Sequence, residues 1–228
     1  MSVDVWPALP LIIYGGHVSE TIMDEIAPKL RHSNRISYID IACSTISQIE
    51  TVLAAMQVPF PELTVLYLSN LIPNMAPVLP NSFLGGSAPR MRHLGLGWIA
   101  FPGLSNLLLS AAHLVTLRLY DIPHSGYISP EAMAACLSTL TSLEKLRLIF
   151  VSPQSSPDQE NRHSPPPTRS ILPALTTIWF KGAHEYLEDL VSRIDSPQLY
   201  LLSARFFNDI DYDTPELNQF IKIGRAHV

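Results

Sequence analysis

The amino-acid sequence predicts an α/β fold. Short parallel strands line a curved, concave side, and helices and loops return the chain along a convex side. Three observations carry this expectation. An apolar-x-x-apolar-x-apolar pattern recurs along the chain, its copies are nearly evenly spaced, and the segments between copies show helical periodicity.

The copies read Ile36-x-x-Ile39-x-Ile41, Leu63-x-x-Leu66-x-Leu68, Met91-x-x-Leu94-x-Leu96, Leu114-x-x-Leu117-x-Leu119, Leu143-x-x-Leu146-x-Leu148 and Leu175-x-x-Ile178-x-Phe180. A looser copy is Leu199-x-x-Leu202-x-Ala204, and another is expected at Leu9-x-x-Ile12-x-Tyr14. Start-to-start spacings are 27, 27, 28, 23, 29, 32 and 24 residues. Leu itself occurs 32 times. In each copy the last two apolar residues alternate with other types, the period-2 signature of a strand with one buried face. One such unit cannot bury its apolar side alone, so units stack and share a core. The expectation is a leucine-rich-repeat solenoid.

The return segments carry helix signals. Ser129-Pro130-Glu131 supplies an N-cap hydroxyl, a Pro at the first helical position and an early acid before Ala132–Leu140. Thr214-Pro215-Glu216 repeats that signal before Leu217, Phe220 and Ile221. Leu187, Leu190, Val191 and Ile194 follow i, i+3, i+4, i+7 spacing. Further helices are expected from Glu20 to about Leu30 and from Ile46 to Met56, whereas the stretch from Pro73 to Pro89 is rich in Pro and Gly.

Residues 1–221 read as one repeat domain. Residues 152–170 hold five Pro and five Ser and no large apolar residue, and are expected to form a disordered insertion. Ser152, Ser156 and Ser164 each precede Pro and are candidate phosphorylation sites. Residues 222–228 continue no repeat and read as a non-native tail. Neither end shows a capping unit, so the chain is expected to be a fragment of a longer protein that self-associates through open strand edges.

Hydrophobic residues make up 47% of the 228 positions and charged residues 15%. That supplies a core and excludes global disorder. The formal charge of −5 argues against a nucleic-acid binder. Cys43 and Cys136 cannot form a disulfide framework, which points to a reducing, cytoplasmic or nuclear setting. No apolar run reaches the roughly 18 residues of a membrane span.

Chemical motifs are sparse. Gly95-x-Gly97-x-x-Ala100 matches the letters of a dinucleotide fingerprint, but Phe101-Pro102 stands where a helix is needed. Asp209-x-Asp211-x-Asp213 lacks the Gly and Glu of a calcium loop. The eight His make no H-x-x-x-H pair, and there is no Cys-x-x-Cys. No G-x-S-x-G elbow or ordered Ser/His/Asp set is present. The expectation is a non-enzyme without cofactor or metal.

The alternation also names the outward positions of each strand. Its earlier part offers Tyr38, Asp40, Ala42, Val65, Tyr67, Ser69, His93, Gly95 and Gly97, with little charge. Its later part collects Arg118, Lys145, Arg147, Lys181 and Arg205 beside Tyr120 and Trp179. Arg, Tyr and Trp are the types enriched at interface hot spots. The predicted binding surface is therefore Tyr67, Arg118, Tyr120, Lys145, Arg147, Trp179, Lys181 and Arg205, and the expected partner is an acidic or phosphorylated protein.

Four stretches resemble the repeat region of fungal F-box/leucine-rich-repeat proteins. They are Leu79-Pro80-Asn81-Ser82-Phe83-Leu84-Gly85-Gly86-Ser87-Ala88-Pro89-Arg90, Leu107-Leu108-Leu109-Ser110-Ala111-Ala112-His113-Leu114-Val115, Ile122-Pro123-His124-Ser125-Gly126-Tyr127-Ile128-Ser129-Pro130-Glu131 and Glu185-Tyr186-Leu187-Glu188-Asp189-Leu190. The resemblance implies substrate recognition for a ubiquitin ligase. In that family an F-box binds the Skp adaptor of a cullin complex. This chain contains no recognisable F-box, so Skp and cullin contacts are expected only if one precedes it. The alternative expectation is a structural scaffold or a degenerate, non-functional repeat protein.

Overall fold

Tight turns set the spacing of the strands. The Leu63 N–H donates to the Phe60 carbonyl at 3.2 Å, and the same closure recurs from Met91 to Ala88, Leu114 to Ala111, Leu143 to Leu140, Leu175 to Leu172 and Leu199 to Ser196. The residue closing each turn is buried. Each turn aims the chain into a strand two residues later. The computed structural model describes residues 9–17, 20–72, 75–153, 169–207 and 215–225.

Eight strands form one parallel sheet in chain order: β1 (Leu11–His17), β2 (Ile36–Cys43), β3 (Val65–Asn70), β4 (His93–Gly97), β5 (Thr116–Ile122), β6 (Lys145–Phe150), β8 (Thr177–Gly182) and β10 (Leu201–Phe206). Two short strands, β7 (Ser170–Ile171) and β9 (Ile194–Asp195), pair separately and in parallel. The intervening helices are α1 (Glu20–Leu30), α2 (Ile46–Ala55), α3 (Leu104–Ser110), α4 (Pro130–Leu137), α5 (His184–Arg193) and α6 (Pro215–Arg225). The fold is thus mixed α/β around a large parallel sheet.

Register explains the shared interior. One row of partners runs Ile13, Ile39, Leu66, Leu94, Leu117, Leu146, Ile178 and Leu202. The row beside it runs Gly15, Ile41, Leu68, Leu96, Leu119, Leu148, Phe180 and Ala204. From Ile39 to Phe180 these apolar side chains are buried, and they share one core with Met23, Ile49, Val52, Leu107, Met133, Leu137, Leu187 and Leu190 of the helices. Burying apolar area removes it from water at about 25 cal/mol per Å2, which drives the stacking.

Local chemistry fixes the helix starts. Thr45 and Gln48 form a reciprocal capping box at α2, and Ser129 accepts from the Ala132 N–H at 3.1 Å at α4. The Glu188 carboxylate of α5 accepts from the N–H groups of Glu216 and Leu217, both at 3.0 Å, and so seats the start of α6.

One expectation is corrected, and two stretches gain detail. The first copy of the pattern is displaced by one residue: Ile13 and Gly15 face the core, while Ile12 and Tyr14 are 70% and 71% exposed. The register that sets Ile13 beside Ile39 and Gly15 beside Ile41 fixes it, and a one-residue slip reverses every side chain. Helix α3 was not expected, because Gly103 at its start offers no side-chain cap. At the end of the Pro/Ser-rich stretch, Ser170 belongs to β7 and Arg169 pairs with Glu216 at 2.7 Å. Residues 154–168 of that stretch lie outside the described residues, as do Asp209, Asp211 and Asp213. Helix α6 continues through Lys222 to Arg225. Among the described residues, no helix is long and apolar enough to cross a membrane.

Candidate functional site

The sheet face opposite the helices carries the predicted surface. Its middle row is in register across every strand: Tyr14, Asp40, Tyr67, Gly95, Arg118, Arg147, Trp179, Ser203. The row on one side reads Ile12, Tyr38, Val65, His93, Thr116, Lys145, Thr177, Leu201. The other side holds Ala42, Ser69, Gly97 and Tyr120, then Ile149, Lys181 and Arg205.

A cationic patch occupies the β5–β10 end. Arg118 and Arg147 are direct partners on adjacent strands and both are exposed. Lys145 is exposed two residues before Arg147, and Lys181 and Arg205 are partners on β8 and β10. None of these five makes an ion pair among the described residues. Trp179 lies half-buried opposite Arg147. Lys181 turns its ammonium toward the Phe207 ring, 5.3 Å from the centroid.

The patch acts on His93. Burial lowers the His93 pKa from its ordinary value, and the charges of Arg92, Arg118 and Lys145 lower it further against an opposing pull from Glu144. The imidazole senses a positive potential. Sequence reading missed Arg92, which lies just before β4 and is exposed.

Two tyrosines occupy the centre differently from expectation. Gly95 and Gly97 were expected to be open positions, yet both are buried. A Cβ on Gly95 would stand 2.4 Å from Tyr67 Cδ1, and one on Gly97 would stand 2.1 Å from Tyr120 Cε2. Tyr67 therefore lies across β4 from one side and Tyr120 from the other. The Arg118 guanidinium sits 5.6 Å from the Tyr67 ring centroid, a cation–π contact. The Tyr120 hydroxyl bonds to Ser69 Oγ on β3, away from the cations. Two residues of β5, Tyr120 and Asp121, stand against Ile149 alone on β6, and Asp121 has φ of 52°. Such a bulge re-aims the side chain before it.

The structure thus brings Arg118, Lys145, Arg147, Trp179, Lys181 and Arg205 together. It places Tyr67 at their border and Tyr120 beyond it. Burial pushes the Cys43 thiol up to about 12 and raises that of Cys136, which makes both poor nucleophiles. The Gly95–Gly97 stretch is strand, and the helix that follows it begins only at Leu104, so the phosphate-binding turn of a dinucleotide site is not formed. Among the described residues, no group of three or more His, Cys, Asp or Glu could hold a metal ion. A cavity of about 150 Å3 beside the ends of β4 and β5 is lined by residues such as Ile99, Leu104, Ile122 and Tyr127, with no carboxylate, imidazole or thiol in its wall.

No known protein-family model matches the chain, and no curated protein matches it.

Proposed function

We propose that the chain is a leucine-rich-repeat solenoid that binds an acidic or phosphorylated protein through its open sheet face. The in-order parallel strands and the turn repeated at Leu63, Met91, Leu114, Leu143, Leu175 and Leu199 support the repeat reading. One observation carries the binding reading. Arg118 stands directly opposite Arg147, with Lys145 alongside, and no described carboxylate pairs with them. Like charges directly opposite on neighbouring strands destabilise a sheet. An anionic ligand offsets that cost, and the planar guanidinium groups suit bidentate contact with carboxylate or phosphate. The sequence resemblance supports a narrower role, substrate recognition for an F-box-type ubiquitin ligase.

A glutamate-rich peptide and a phosphoserine peptide test the reading by titration calorimetry. Binding is expected to weaken with salt and to fall at least tenfold in the Arg118→Glu/Arg147→Glu variant. Equal affinity in that variant, or no binding of either peptide, overturns it.

A further inference from the structure

The β1–β4 end of the same face has the opposite chemistry. Asp40 is the acid of its middle row, flanked by Tyr14 on β1 and Tyr67 on β3 as direct strand partners. Tyr38, two residues earlier on β2, points to the same face, and its hydroxyl lies 3.5 Å from Asp40 Oδ2. Tyr120 closes the far side by lying over Gly97 with its hydroxyl on Ser69. Tyr38 touches the carboxylate, Tyr14 and Tyr67 start from the strands on either side of it, and the Asp40 charge reaches the Tyr120 phenol. Parallel strands lie about 4.8 Å apart, so Tyr14 and Tyr67 start one strand to either side of Asp40, and Tyr120 reaches back toward them from β5.

The carboxylate is poorly matched to these surroundings. It is partly buried and makes no ion pair among the described residues. A 3.5 Å hydrogen bond is at the limit of useful geometry. Burial raises the Asp40 pKa, and the Tyr38 contact only partly offsets it. Burial and the Asp40 charge raise the Tyr38 phenol, with smaller contributions from Tyr67 and Tyr14, which places all four groups within electrostatic reach. Arg118 starts three strands from Asp40 and leans onto the Tyr67 ring, and it makes no ion pair with the carboxylate.

We infer that Tyr14, Tyr38, Tyr67 and Tyr120 with Asp40 form a receptor for an alkylammonium group, the head of a free or methylated lysine on a protein partner. Charge complementarity selects the occupant. Aromatic faces attract a cation within about 6 Å of the ring centroid, and aromatic cages serve this purpose for quaternary ammonium groups. Tyr67 already accepts the Arg118 guanidinium on this face. The carboxylate supplies the counter-charge, and for a free lysine it also accepts a hydrogen bond. An anionic ligand fails here because it meets Asp40. The site meets the cationic patch at Tyr67.

Three otherwise neutral peptides test the site on the full chain, differing at one position: lysine, trimethyllysine or norleucine. Titration calorimetry is expected to show binding of at least one ammonium peptide and none of the norleucine peptide. Asp40→Asn should weaken that binding at least tenfold, and Asp40→Glu should restore part of it. A thermal melt of each variant shows that the fold is intact. A free-lysine preference marks Asp40 as the main contact, and a trimethyllysine preference marks the rings. Binding of norleucine as tight as that of the ammonium peptides, full affinity in Asp40→Asn, or no binding of any peptide overturns the inference. Arg147→Glu should leave this binding unchanged, so failure here is distinguishable from failure of the acidic-partner reading.

Discussion

The two ends of the open face share one backbone and one core but not one chemistry. From β1 to β4 the outward positions include three tyrosines and a single aspartate but no lysine or arginine; from β5 to β10 they include five arginines and lysines and a tryptophan. Gly95 and Gly97 mark the boundary, and the rings of Tyr67 and Tyr120 lie over them. The difference teaches that the two faces of a strand are under separate constraints. Inward positions must be apolar because each lies between neighbours in a buried row. Outward positions are free to vary from strand to strand, so an electrostatic gradient can be written along the face without disturbing the interior.

The largest expected effect is a control on that separation. Leu117→Ala opens a cavity in the row beneath both ends and should cost about 2–5 kcal/mol in chemical denaturation. It should lower the stability of the whole sheet rather than one end. A change confined to β4–β6 in hydrogen exchange would break the picture of a common core.

Gly97→Val attacks the boundary. The added Cβ meets the Tyr120 ring, so the ring must leave β4 at a cost of about 1–3 kcal/mol. NMR signals of Ser69 should shift with those of Tyr120, because their hydroxyl contact is lost. Unchanged Ser69 signals would show that the two ends are not joined there.

The smallest effect is a titration. His93 should titrate below the ordinary imidazole value of about 6.5 in NMR, and Lys145→Ala should move it back upward by removing one neighbouring cation. The sign for stability follows. The folded state resists protonation of His93, so the unfolded state takes up more protons as the pH falls through about 6.5. This group therefore favours the fold fully above that pH, and its contribution falls away below it. A His93→Gln variant should lose that part of the acid slope. An upward shift of His93 in the wild-type chain would contradict a positive potential at this end.

Most of the fold was legible because periodicity reports burial directly. Leu66, Leu94, Leu117, Leu146 and Ile178 are identifiable from spacing alone and fall on one row. The first strand was misread because its register, Ile13 beside Ile39, depends on pairing with β2, which a single-strand pattern does not contain. That slip also hid Tyr14 from the open face. The cations of the candidate site were legible from alternation. The fates of Tyr67 and Tyr120 were not, since alternation says which face a side chain leaves from but not where it leans. Gly95 and Gly97 carried the signal: two missing side chains side by side leave room for the rings of the next strands.

The extra residue at Tyr120–Asp121 has a geometric consequence for any ligand. Ser69, Gly97 and Tyr120 stay in step across β3 to β5, whereas Ile149, Lys181 and Arg205 resume after a two-against-one count. An extended peptide laid straight across the strands along this flank would be in phase with one series and out of phase with the other. A guest that reaches both ends must therefore kink or change track near β5, which favours a chain with a turn over a rigid rod.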